Sequence, residues 1–185
     1  MKRLTALVIA VLFVLFAFGT VYAADITVTV TMASFTLNVS NTTWAIGQVT
    51  PSLDTNRQQV SHVWNTGGVN MDVTLLCGEG TNWKLGATAA KDTFQMRAIF
   101  AHQDTTVAGI PQDSFLANDA LTGGAQEGTN ALFYTSNCGS GADAGGLDMA
   151  ANDSASLWLW FKAPTTSTTD AEQTIAITVG GKVAD

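Results

Sequence analysis

Along most of this chain apolar and polar side chains alternate, and that period of two limits what it can fold into more than any other feature. Ile26, Val28, Val30 and Met32 alternate with Thr27, Thr29 and Thr31, the pattern of a half-buried strand with a threonine outer face. After a break at Ala33-Ser34 the alternation resumes at Phe35, Leu37 and Val39. Trp44-Ala45-Ile46 is a short apolar piece that ends at Gly47, and Pro51 to Asn56 reads as a loop. Val60 to Trp64 is a strand closed by Asn65-Thr66-Gly67-Gly68, a strong turn signal. Val69, Met71, Val73, Leu75 and Cys77 then share one face, with Asn70, Asp72 and Thr74 on the other. Trp83 and Leu85 suggest a short strand, and Phe94 to Phe100 forms another with less regular alternation. Leu157, Leu159 and Phe161 alternate with Trp158, Trp160 and Lys162, and Ile175, Ile177 and Val179 close the pattern. No stretch keeps a period of 3.6. Short strands separated by turn signals predict an all-β fold, a two-sheet antiparallel sandwich of immunoglobulin-like or jelly-roll type with about eight or nine strands.

The first 23 residues stand apart from this pattern. Met1-Lys2-Arg3 is a short positive start, Leu4 to Phe18 is an apolar run, and Val21-Tyr22-Ala23 offers small or aliphatic residues before a cleavage point. This is the layout of a secretory signal peptide, and the run is shorter than the ~20 residues of a membrane span. Of residues 1–23, 18 are apolar. They account for much of the 46% hydrophobic composition, which falls to about 41% without them. The formal charge of −7 becomes −9 once Lys2 and Arg3 are removed. Such an acidic balance excludes a nucleic-acid binder, which needs clustered Lys and Arg. The expected organisation is residues 1–23 as leader and residues 24–185 as one β domain, with no membrane span in the mature protein. Within that domain, residues 101–153 are rich in Gly, Ala, Asn and Asp and too long for a bare connection. They read as an elaborated loop, with a hairpin around Phe133 as one option.

Few residues invite chemistry. His62 and His102 are isolated, and the chain holds no serine-nucleophile elbow, zinc-protease helix, phosphate-binding glycine loop or Cys-x-x-Cys pair. The reading is therefore non-enzymatic, without a required cofactor. Cys77 and Cys138 are the two cysteines, and export favours a bridge between them. Such a bridge would be worth about 3–4 kcal/mol in the chain-entropy picture. Asp143, Asp148 and Asp153 recur every five residues among Gly and Ala and are the candidate calcium ligands, although their spacing matches no calcium-loop pattern. Trp158 and Trp160 point opposite to Leu157, Leu159 and Phe161. Either this strand is buried on both faces, or these indoles, with Trp83, form an aromatic platform for a polysaccharide or another surface protein. Asn38, Asn41 and Asn152 start Asn-x-Ser/Thr triplets, a weak glycosylation signal.

The segment from Val63 through Asn65-Thr66-Gly67-Gly68 to Val73 resembles the strand–turn–strand hairpin of secreted immunoglobulin-like domains. Leu159 to Pro164, a Thr-rich loop and the strand Gln173 to Val179 resemble the closing hairpin of such domains. In overall plan the chain is similar to the secreted TasA/camelysin-type fibre and matrix proteins. That resemblance implies extracellular fibres in which the N-terminal strand of one subunit enters its neighbour. The residues allow this independently. Ile26, Val28, Val30 and Met32 could fill a hydrophobic groove while main-chain bonds hold the strand, and open head-to-tail contacts generate filaments. The leading reading is a secreted structural protein of the cell surface or extracellular matrix that pairs with copies of itself. The alternative is a carbohydrate- or protein-binding module that uses its Trp residues.

Overall fold

The structure is a computed structural model, and it describes residues 34–54, 56–102, 110–134 and 146–184. The expected leader, the candidate assembly residues Ile26, Val28, Val30 and Met32, and also Cys138 and Asp143, lie outside the described residues. The chain divides into two units, Met1–Met32 and Ala33–Asp185; everything below concerns the second.

The all-β class holds. Among the described residues there are eight strands: β1 (Leu37–Val39), β2 (Asn56–Asn65), β3 (Met71–Cys77), β4 (Lys84–Leu85), β5 (Thr93–His102), β6 (Gln126–Glu127), β7 (Ser154–Lys162) and β8 (Ile177–Val183). Among the described residues the helical elements are two single 3-10 turns, Gln112–Ser114 and Ala117–Asp119. The strands form two sheets, one in the order β1-β2-β7-β5-β4 and the other in the order β6-β3-β8. The five-stranded sheet curls into a half-barrel. A wholly antiparallel pattern, expected from the short turn-linked strands, fails at one pair: β4 runs parallel to β5, with Lys84 opposite Thr93. Trp44–Ile46 and the stretch around Phe133 are not strands; the latter makes turns and buries the Phe133 ring.

Alternation explains the main core. Met71, Val73, Leu75 and Cys77 of β3 are fully buried, as are Phe94, Ala98 and Phe100 of β5, and Leu157, Leu159 and Phe161 of β7 are nearly so. They belong to one hydrophobic cluster that also takes in Val63 of β2, with Ile177 and Val179 of β8 packed against it. Both sheets therefore contribute to a single core, at about 1.5–3 kcal/mol for each large side chain removed from water.

The opposite face of β3 departs from the expected wet surface, because Asp72 is buried. Its carboxylate accepts the Asp148 N–H at 2.8 Å and lies 3.8 Å from Lys182 Nζ, which also pairs with Glu127 at 3.0 Å. Burial of a charge is tolerable only with such partners.

Strand β7 settles the two readings of its tryptophans. It lies between β2 and β5, antiparallel to both, and is buried on both faces from Ser154 to Phe161. The inward face meets the main cluster. The outward face, with Trp158 and Trp160, meets Ile99, Ala101, Ile110 and Phe115 in a second, smaller cluster. The cover on that side comes from the long connection between β5 and β7, the elaborated loop of the sequence.

That connection is itself pinned. Asp119 is fully buried, and its two carboxylate oxygens accept the N–H groups of Leu116 at 2.7 Å and Phe133 at 2.8 Å. Phe133 takes a left-handed backbone, φ 64°, and its carbonyl accepts the Phe100 N–H at 2.9 Å. Burial pushes the Asp119 carboxyl above its ordinary range, against the opposing pull of these two N–H groups and of Arg97.

Candidate functional site

Among the described residues a groove and a cleft are each large enough to bind something, and they lie on opposite sides of the five-stranded sheet. The larger is a groove of about 1250 Å³ lined by both sheets: Val60 from β2, Leu157 and Leu159 from β7, and Ile177 and Val179 from β8. Its existence follows from strand pairing. β1 covers β2 only from Val63 to Asn65, so no strand lies on the outer edge of β2 from Asn56 to Val60 among the described residues. β8 is the edge of its own sheet. Two strand edges without a neighbouring strand among the described residues thus border one apolar groove, and an exposed edge is a template for another strand.

Residues 41–51 run along this groove as an irregular strap. Trp44, Ile46 and Val49 dip part-way into the core while the residues between them are exposed. The Thr43 N–H bonds only to Asn41 Oδ1, at 3.2 Å. Among the described residues, no main-chain hydrogen bond ties Thr42 to Val49 to either sheet. The chain before the strap is held firmly by contrast. Thr66 and Gly68 donate to the carbonyls of Thr36 and Ser34 at 2.7 and 3.2 Å. A Cβ at Gly67 would come within 2.4 Å of the Phe35 Cα, so only glycine fits that turn.

The smaller feature is a cleft of about 480 Å³ on the outward face, with Arg97, Trp160, Lys162 and Asp54 among its walls. Trp160 donates its indole N–H to the Asp54 carbonyl at 2.8 Å, and the Arg97 guanidinium lies over its ring, 4.7 Å from the centroid. Arg97 Nη1 donates to the Phe115 carbonyl at 2.5 Å. Arg97 Nε is buried and has no hydrogen-bond partner among the described residues. Lys162 Nζ is 3.5 Å from Asp54 Oδ2, a half-exposed pair of small energetic weight.

Sequence-predicted site residues fall in scattered places. Trp158 and Trp160 are 3% and 4% exposed, so the open aromatic platform expected of them is not formed; the β5–β7 connection and Arg97 lie over their faces. Trp83 sits on the other side, lining the groove, stacked on Phe161 with centroids 6.4 Å apart and donating to Ser167 Oγ at 2.9 Å. The three indoles therefore share no surface.

Cys77 carries a free, buried thiol, and Cys138, its expected partner, lies outside the described residues. The Cys77 Sγ donates to the Gly78 carbonyl at 3.3 Å, and burial pushes its pKa up to about 12, which leaves it inert as a nucleophile. Asp148 is exposed, and Asp153 is half-buried with its Oδ1 accepting the Ser154 N–H at 2.8 Å. Among the described residues no three His, Cys, Asp or Glu side chains gather to hold a metal ion. His62 Nδ1 lies 3.3 Å from Ser156 Oγ, but Ser156 is buried in the sheet, out of reach of a substrate.

The residues that sequence reasoning passed over are Arg97, Lys162 and Asp54. The signal available was compositional: cations are scarce in this chain, and two of them fall on outward positions of adjacent strands. Neither the models of known protein families nor the sequences of characterised proteins match the chain.

Proposed function

We propose that this protein is an exported, non-enzymatic structural subunit of a cell surface or extracellular fibre, built on a β-sandwich and assembling by strand pairing between copies. The observation that carries the reading is the apolar groove bordered by the edges of β2 and β8, which have no neighbouring strand there among the described residues. Its occupant is the segment from residue 24 to 33 of a second copy. Seven residues from Ile26 to Met32 span about 23 Å as a strand, the length of the seven-residue β8. Ile26, Val28, Val30 and Met32 would turn into the groove and the threonines outward, while main-chain bonds to a strand edge supply affinity. The layout shared with TasA/camelysin-type fibre proteins, and the leader-like residues 1–23, point the same way.

The test is negative-stain electron microscopy of the exported protein at high concentration, beside a variant lacking residues 24–33. Filaments from the parent and a folded, monomeric deletion variant are expected. A parent that stays monomeric at every concentration, or a deletion variant that loses its fold, would sink the reading. The second outcome would place the segment inside its own subunit.

A further inference from the structure

The outward cleft has no part in strand pairing, and its chemistry is of another kind. From residue 24 onward the chain carries only six Lys and Arg against fifteen Asp and Glu. Three of those six hold strand positions next to Trp160 in register or two residues from it. Arg97 on β5 and Arg57 on β2 hold the register positions directly opposite it, and Lys162 follows two residues along β7. Clustering of scarce cations on an acidic protein points to an anionic ligand rather than to solubility.

The guanidinium of Arg97 is fixed before any ligand arrives. Trp160 backs its plane, the Asp54 carbonyl fixes the indole, and the Phe115 carbonyl holds Nη1. Arg97 as a whole is half-buried and lines the cleft, while its Nε is buried without a partner among the described residues. A guanidinium so placed matches the oxygens of a carboxylate or phosphate. The walls decide between those anions. Asp54 and Asp113 also line the cleft. Carboxylates repel a phosphate or sulfate, which carries up to two charges, more than the single charge of a carboxylate. A sugar acid has both halves of the match, a carboxylate for Arg97 and Lys162 and hydroxyl donors for the two aspartates. A cleft of about 480 Å³ is of the size that holds small ligands.

We propose that this cleft binds a uronic-acid-bearing sugar, with the carboxylate between the Arg97 guanidinium and Lys162 and the ring hydroxyls donating to Asp54 and Asp113. The tryptophan then serves as the backing for the arginine and not as a stacking platform for the sugar.

The test is isothermal titration calorimetry of the exported protein with galacturonate, trigalacturonate, galactotriose, acetate and phosphate. Both uronates are expected to bind, with galactotriose, acetate and phosphate each at least ~10-fold weaker, the ratio that one charge-assisted contact supports. Tighter binding of the trimer would identify a polysaccharide as the source, and equal binding a free sugar. Arg97→Gln and Lys162→Gln should each weaken trigalacturonate by ~10-fold or more. Lys162→Gln leaves the Trp160 stack intact and decides the matter if Arg97→Gln fails to fold. Equal binding of galactotriose or of phosphate, no heat with either uronate, or a Lys162→Gln variant that binds like the parent would overturn the proposal.

Discussion

The two faces of β7 make an instructive pair, because they belong to one strand and differ only in the parity of residue number. Leu157, Leu159 and Phe161 enter a cluster shared by both sheets. Ser156, Trp158 and Trp160 are as deeply buried, yet their cover is a connection with two 3-10 turns and one short strand. The inward face is buried by regular neighbours whose own alternation demands a partner. The outward face is buried by irregular chain that has to be pinned in place, by Asp119 on two N–H groups and by Arg97 on the Phe115 carbonyl. Equal burial therefore rests on different supports, and only the second leaves polar groups near a surface cleft.

The comparison breaks most readily at the inward face. Phe161→Ala should cost about 3–5 kcal/mol, the range for truncating a buried aromatic ring, measured by chemical denaturation. A loss below about 1 kcal/mol would mean that the shared cluster does not hold the unit together.

Asp119 tests the support of the outward face. Asp119→Ala strands two backbone N–H groups at about 1–3 kcal/mol each if both stay dry, and should release the 110–121 segment to faster hydrogen exchange while β3 stays protected. Its pH dependence has a definite sign. The folded-state pKa is raised by burial, so the folded protein binds the proton more readily than the unfolded chain. The charge penalty is present at neutral pH and is relieved as pH falls through the raised pKa toward the ordinary carboxylate value. The parent should therefore gain stability relative to Asp119→Asn on acidification over that range. A difference that stays constant or reverses would contradict the burial assigned to this carboxyl.

The smallest effect is expected at Trp158. Its indole N–H is buried without a partner among the described residues, so Trp158→Phe removes an unmet donor along with part of a ring. The two changes oppose each other, and the net shift should stay within about 1 kcal/mol by denaturation. A loss as large as that of Phe161→Ala would erase the distinction between the faces.

How much of this was legible in the sequence depended on whether a local rule applied. The alternation at Met71, Val73, Leu75 and Cys77 named the inward face of β3 correctly, because a strand exposes its two sides by parity alone. The turn at Asn65-Thr66-Gly67-Gly68 was equally readable. Asp72 was not, since its burial depends on Lys182, distant in the chain and brought opposite it by β3–β8 pairing. The parallel β4–β5 pair left no mark in the residues. The burial of the Cys77 thiol followed from its parity on β3. The groove could not be foreseen at all, because it arises from strand order and from how briefly β1 covers β2. The cleft left one faint trace, the scarcity of cations.

The sequence by itself determined that this chain is a sheet protein and which parity of each strong strand faces inward, because the pleat converts a period of two directly into sidedness. The tertiary structure alone decided which edges lack a neighbouring strand among the described residues, which tryptophans lose their surface and that Arg97 and Lys162 line one cleft. Those outcomes depend on which strands become neighbours and on what the long connection covers, and both are set by contacts between residues far apart in the chain.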